Sequence, residues 1–197
     1  LPGDEKMSSR KGKIIEGEWL LNETQKRVKE TMSKNKEWSE EELEDISDKI
    51  AVAAIKYSFI KVSVGKDVVF DINQSTSFDG DTGPYLLYVY ARCKSILNEV
   101  EERVPSQRLD CKDPYTRGLV RGISKYSKQL LTSGTNYSPT TLCTYLFELG
   151  QVFNNFYQNV KVLGSDDEDF LLGVVEATAL TMKDGLNSLG IEVVERM

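Results

Sequence analysis

Apolar residues return every three or four positions over most of this chain, the spacing of helices that each bury one face. The clearest case is WSEEELEDISDKIAVAAIKYSF, in which Leu43, Ile46, Ile50, Ala53, Ala54 and Tyr57 form an apolar face. Glu41, Glu44, Asp45 and Asp48 lie opposite it, most simply as a solvated surface near a helix start, where negative charge is favourable. Ser39 with Glu42 three residues later spells a capping box, and Trp38 is placed to staple onto Leu43. Ahead of it, residues 22–34 predict a polar helix with only Val28 and Met32 inward.

Between Ser63 and Thr82 the period changes. The β-branched and aromatic cluster Val68-Val69-Phe70 predicts a short extended piece, and the Asp, Asn, Ser and Gly residues after it a long ordered loop. Its acids do not make an EF-hand, because Thr76 stands where glycine is needed and Thr82 where the glutamate should be.

Gly83-Pro84 opens the next helix, with Leu86, Leu87, Tyr90, Leu97 and Val100 as its buried face. Pro105 and Pro114 bracket a linker. In RGLVRGISKYSKQLL, Arg117, Arg121, Lys125 and Lys128 then recur about one helical turn apart, a basic stripe that is either a solvated face or a contact for RNA phosphates. Ser138-Pro139 starts a helix with Leu142, Leu146, Leu149, Phe153 and Phe156 inward; Tyr157 is the ring on it that is free to stack on an unpaired base. A second capping box, Ser165 to Glu168, precedes the last helix, which carries Leu171, Val174, Val175, Thr178, Met182, Leu186 and Leu189 and stops at Gly190. About five helices with short connectors predict an all-α helical bundle, preceded by a short loop and extended piece. The expected boundary sets 1–21 apart from a helical domain 22–197.

Composition narrows the chemistry. The 197 residues contain no histidine, which removes Ser-His-Asp and Cys-His nucleophilic schemes and histidine-ligated metals. Cys93, Cys111 and Cys143 are too far apart for a zinc site or a disulfide framework and read as buried thiols. The formal net charge of -6 argues against indiscriminate nucleic-acid binding and DNA as a partner. With no long apolar run and no secretory pattern at the start, a soluble cytoplasmic protein without a membrane partner is expected. No metal site is expected either.

One stretch stands outside the helical pattern. KMSSRKG, residues 6–12, gathers Lys6, Arg10 and Lys11 with two hydroxyls and a glycine, chemistry suited to holding a polyphosphate. It resembles the arginyl form of the KMSKS signature of class I aminoacyl-tRNA synthetases. AVAAIKYSFIK, VFDIN and FDGDTGPYLLYVYAR resemble the segment that joins the catalytic domain of arginyl-tRNA synthetases to their anticodon-binding helices. TLCTYLFELGQVFNNFYQNVKVL and the closing LLGVVEATALTMKDGLNSLGIEVVERM resemble the family's final two helices and its Arg-Met end. The resemblance runs in order along nearly the whole chain.

It implies a C-terminal fragment of an arginine-tRNA ligase, inactive alone because the Rossmann-type catalytic domain is missing. The parent would join arginine to tRNA(Arg) through arginyl-adenylate, with ATP and Mg2+, and the catalytic domain of the same polypeptide would be a partner. An ATP-binding loop of Lys6, Met7, Ser8, Ser9, Arg10 and Lys11 is implied, with Lys6 and Lys11 as its catalytic cations and Ser9 standing where the signature has a lysine. For tRNA, the resemblance points to Tyr157 and Met197, with Asn154 a candidate for a base or ribose hydrogen bond. Arg117, Arg121, Lys125 and Lys128 would hold phosphates. The competing expectation is a stand-alone helical RNA- or protein-binding module related to that domain.

Overall fold

The computed structural model describes residues 16–33, 38–100 and 113–197. Among them are eight helices and no strand: α1 (Gly17–Met32), α2 (Glu40–Ile60), α3 (Ile72–Ser75), α4 (Gly83–Asn98), α5 (Pro114–Ser124), α6 (Tyr126–Thr135), α7 (Pro139–Asn159) and α8 (Glu168–Ser188). The all-α expectation holds. The chain divides into two compact units between Tyr85 and Leu86, inside α4.

In the first unit α1 packs on α2. Thr24, Val28 and Met32 recur at a spacing of four and are buried, which is enough for a helix whose remaining face is polar. Thr24 satisfies its hydroxyl by donating to the Leu20 carbonyl at 2.7 Å. The helix starts at Gly17, five residues before the expected Asn22, so the stretch 17–21 is helical rather than extended. Across the pair, the Lys29 ammonium bonds the Glu44 carboxylate and holds its pKa below the usual carboxylate range, while Gln25 donates to the same carboxylate at 3.0 Å.

The capping box at α2 is formed: the Glu42 amide donates to Ser39 Oγ at 3.2 Å, and the Ser39 amide to the Glu42 carboxylate at 3.0 Å. Ile50, Ala53, Ala54 and Tyr57 are fully buried, as the periodicity requires. Past α2, residues 67–70 form neither helix nor paired strand, and Asp71 has extended backbone. Val69 is exposed, Phe70 is buried beside the Phe59 ring at 5.9 Å, and Asp71 caps the one-turn helix α3 by accepting from the Gln74 amide at 2.8 Å.

The loop then returns to α2. Tyr57 donates its hydroxyl to Asp81 Oδ1 at 2.6 Å, and Lys61 Nζ lies 3.4 Å from the other oxygen of that carboxylate. Gly83 closes the approach: a Cβ there would stand 2.4 Å from the Ala53 carbonyl oxygen, so only glycine fits.

The second unit is built on α7 and α8. Leu142, Leu146, Leu149, Phe153 and Phe156 of α7 are buried, as are Leu171, Val175, Met182 and Leu186 of α8. Each such side chain contributes roughly 1.5–3 kcal/mol by leaving water. Gly118 and Gly122 turn the small face of α5 to α7, where a Cβ on Gly122 would come within 3.0 Å of Leu149 Cδ1. Cys93 and Cys143 are buried, and burial pushes the Cys93 thiol well above its usual range.

Two details depart from the sequence reading. The capping box expected at Ser165 and Glu168 does not form; Glu168 takes the Gly164 amide, Ser165 donates to the Val162 carbonyl at 2.9 Å, and α8 starts only at Glu168. Glycine at 164 with φ +66 turns the backbone so that its own amide, not that of Ser165, faces the carboxylate. Val100 falls after the end of α4 and is only half-buried.

Candidate nucleic-acid interface

In the second unit a cavity of about 460 Å³ opens between α4, the end of α7 and the segment after α8. Tyr88, Arg92 and Ser95 line it from the first, with Glu99 just past its end, Tyr157 from the second, and Glu195, Arg196 and Met197 from the third. Arg92 organises it. Its guanidinium carbon lies 4.4 Å from the centroid of the Tyr88 ring and 4.4 Å from that of Tyr157, and its Nη1 donates to Asn154 Oδ1 at 3.4 Å.

The local sequence explains this placement. Tyr88 and Arg92 are four residues apart on α4 and therefore share a face. Asn154 and Tyr157 are three apart on α7, and Tyr157 stands one turn after the buried Phe153, whose ring stacks at 6.3 Å from its own. A guanidinium is planar, always charged and weakly hydrated, so it tolerates a position between two rings that an ammonium would leave for water. Tyr157 keeps 42% of its surface exposed, and the expected stacking ring is thus braced but not covered. The cavity presents flat aromatic and thioether surface together with the donors of Arg92 and the carboxylate of Glu99, a combination that can hold a heteroaromatic ring by its face and its edge.

The basic stripe lies elsewhere in this unit. Arg117 and Arg121 are on α5, Lys128 is on α6, and Lys125 stands at the break between them; all four are exposed. The elbow is held from both sides: Tyr145 of α7 donates to the Gly122 carbonyl at 3.1 Å, and Tyr126 donates to Asp184 Oδ2 of α8 at 2.5 Å. Residues 114–147 contain no Asp or Glu, and Asp113, the residue just before them, caps the start of α5.

Three of the site residues read from sequence, Asn154, Tyr157 and Met197, therefore meet around Arg92. Arg92 and Tyr88 were missed; the available signal was an arginine four residues after a tyrosine inside an otherwise apolar helix. The loop residues Lys6, Met7, Ser8, Ser9, Arg10 and Lys11 lie outside the described residues. So does Cys111.

Comparison with known proteins fits this geometry. Residues 86–197 match the family described as "DALR anticodon binding domain", and residues 2–72 match "tRNA synthetases class I (R), catalytic domain". The chain belongs to the DALR anticodon-binding domain family.

More particularly, it matches the C-terminal part of arginyl-tRNA synthetases. It is 35% identical over 204 residues to the arginine-tRNA ligase of Clostridium perfringens, covering 98% of this chain and 35% of that protein. The arginine-tRNA ligase of Clostridium beijerinckii is 37% identical over 201 residues, with 98% of this chain and 35% of that protein covered. Among solved structures, Thermus thermophilus arginyl-tRNA synthetase superposes with a TM-score of 0.84 at 28% identity, over 93% of this chain and 32% of that one. The chain spans about a third of the length of the curated relatives it matches.

Proposed function

We propose that this chain is the tRNA-binding C-terminal portion of an arginine-tRNA ligase, and that the cavity around Arg92 takes an unpaired base of the anticodon loop of tRNA(Arg). The observation that carries this reading is the convergence of Tyr88, Arg92, Tyr157 and Met197 on one opening, with Asn154 hydrogen-bonded to Arg92, within the stretch that matches the anticodon-binding family. A base splayed from the loop stacks against Tyr157 and Met197 and offers its edge to Arg92 and Asn154. Stacking of this kind contributes about 1–3 kcal/mol per base. Arg117, Arg121, Lys125 and Lys128 hold phosphates and so add affinity without sequence preference.

The parent enzyme would form arginyl-adenylate from arginine and ATP and pass the arginyl group to tRNA(Arg). In that reaction the loop Lys6, Met7, Ser8, Ser9, Arg10 and Lys11 closes on the triphosphate. Lys6 and Lys11 stabilise the charge that develops at the α-phosphate by electrostatics rather than by proton transfer. Mg2+ would neutralise the phosphates from the side of the catalytic domain. Among the described residues no cluster of His, Cys, Asp or Glu is arranged to hold a metal ion. This portion alone neither activates arginine nor charges tRNA.

The test is a salt series of binding by this chain to an arginine tRNA and to the same tRNA with an altered anticodon. Preference for the arginine anticodon that survives moderate salt is expected. Tyr157→Ala should reduce it about 5- to 160-fold with helicity unchanged, following the stacking range above. Equal and steeply salt-sensitive binding to both RNAs would remove base recognition from this unit.

A further inference from the structure

The segment after α8 is folded back, and its path decides where Met197 stands. Gly190, at φ +71, ends the helix in a Schellman turn: the Ile191 amide donates to the Leu186 carbonyl at 2.9 Å and the Gly190 amide to the Asn187 carbonyl at 2.9 Å. Ile191 and Val194 are then buried. After Val194 no side chain is buried, since Glu195 and Arg196 are exposed and Met197 is half-buried. Apolar anchoring therefore stops at Val194, and the three residues after it, Glu195, Arg196 and Met197, all border the cavity.

From that point polar contact must direct the chain. Lys94 Nζ of α4 lies 3.3 Å from Glu195 Oε1. Lys94 is two residues after Arg92, and the two neighbours of Glu195 toward the end of the chain, Arg196 and Met197, both line the cavity that Arg92 organises. Tyr90, one turn before Lys94, also feels Glu195: burial first, and that carboxylate second, raise its hydroxyl pKa. Glu195 thus sits over the Tyr90 and Lys94 positions of α4 while Met197 reaches the Tyr88 and Arg92 face.

We propose that the Lys94–Glu195 pair is a clasp that delivers Met197 to the base-binding cavity, which makes Lys94 and Glu195 positioning residues for RNA recognition. The inference rests on the reading of that cavity as a base site. Lys94 does not line the cavity and Glu195 borders it, so the clasp acts through the placement of Met197 and not through a cation presented to the RNA. With side-chain exposures of 26% for Lys94 and 64% for Glu195, the pair is partly solvated, and its loss should cost binding about two- to fivefold rather than abolish it.

Charge reversal separates the clasp from simple Coulomb attraction to RNA. Lys94→Glu removes a cation and Glu195→Lys adds one, so attraction alone predicts weaker binding in the first variant and tighter binding in the second. The clasp predicts weaker binding in both and recovery in the double variant Lys94→Glu/Glu195→Lys. The probe is an arginine-tRNA anticodon hairpin, and the second readout is hydrogen exchange of amides 191–197 with the NMR signal of the Met197 methyl. Faster exchange and a shifted methyl signal in each single variant, restored in the double, are expected.

Unchanged exchange in both single variants, or tighter hairpin binding by Glu195→Lys, would overturn the clasp. So would exchange that responds while hairpin affinity stays constant in the clasp variants but falls in Tyr157→Ala. If affinity is constant in Tyr157→Ala as well, the base-binding reading fails instead, and the exchange and methyl data alone decide whether the clasp exists.

Discussion

The Arg92 guanidinium carbon stands 4.4 Å from the centroid of the Tyr157 ring, joining α4 to the end of α7 across the rim of the cavity. The same side chain is equally close to Tyr88 and donates to Asn154, so one arginine fixes the orientation of three other residues. A cation over a ring contributes about 0.5–2 kcal/mol, more as water is excluded. Arg92→Ala should therefore weaken binding of an arginine-tRNA anticodon hairpin by roughly 2- to 30-fold. Arg92→Lys should rescue little of it, because a point charge cannot lie flat between two rings. Titration of the hairpin against each variant, with far-ultraviolet circular dichroism to verify the helices, checks this.

The exposed stripe predicts a salt effect. Each phosphate neutralised on single-stranded nucleic acid contributes a slope of about 0.7 to the dependence of log affinity on log salt. Replacing Arg121, Lys125 and Lys128 with alanine should flatten that dependence by roughly 2 and weaken arginine and non-arginine tRNAs equally. A change in the ratio between the two RNAs would instead mean that these cations read sequence.

Two glycines predict opposite outcomes for the same substitution. At Gly83 a Cβ meets the Ala53 carbonyl oxygen at 2.4 Å and its carbon at 2.6 Å, backbone atoms that cannot turn aside. Gly83→Ala should cost about 2–3 kcal/mol, the upper part of the range for overpacking. At Gly185 the nearest atom, at 2.6 Å, is the tip of the Leu146 side chain, which has other rotamers, and alanine in a helix interior is favoured over glycine by up to about 1 kcal/mol. Gly185→Ala should fall within about 1 kcal/mol of the parent in urea denaturation.

Alkaline stability should depend on Tyr126. Burial and its hydrogen bond to Asp184 push its hydroxyl up to about 12 from the ordinary value of 10.0. The protonated phenol is the form the fold favours, so its contribution is complete below pH 10 and is lost as the pH rises toward 12. Tyr126→Phe should lower stability at neutral pH by about 1 kcal/mol and make the decline above pH 10 shallower. Tyr145, raised in the same direction by burial, remains in the variant and keeps part of that decline. Urea midpoints at a series of pH values test the slope.

Most of the helices could be read directly because a period of three to four apolar residues needs no partner to be recognised. The capping box of Ser39 and Glu42 is equally local, since both halves lie within one turn. The start of α1 at Gly17 was harder: only Val28 and Met32 signalled an inward face, and buried Thr24 carried no apolar mark. Ser165 and Glu168 repeat the capping pattern, yet the conformation of Gly164 gives the carboxylate a different amide. A motif of two side chains does not specify the backbone between them.

The sequence by itself determined that this is an all-α chain and that its chemistry excludes histidine, and its resemblance to arginyl-tRNA synthetases pointed to Asn154, Tyr157 and Met197 as candidate contacts. Those properties depend on residue type and on neighbours within a turn or two. Only the tertiary structure decided that the three converge on Arg92, that the basic stripe bends at Lys125, and that the segment after α8 returns to Lys94. Each of those is a meeting of residues tens of positions apart, set by which faces the second unit buries, and no local pattern encodes it.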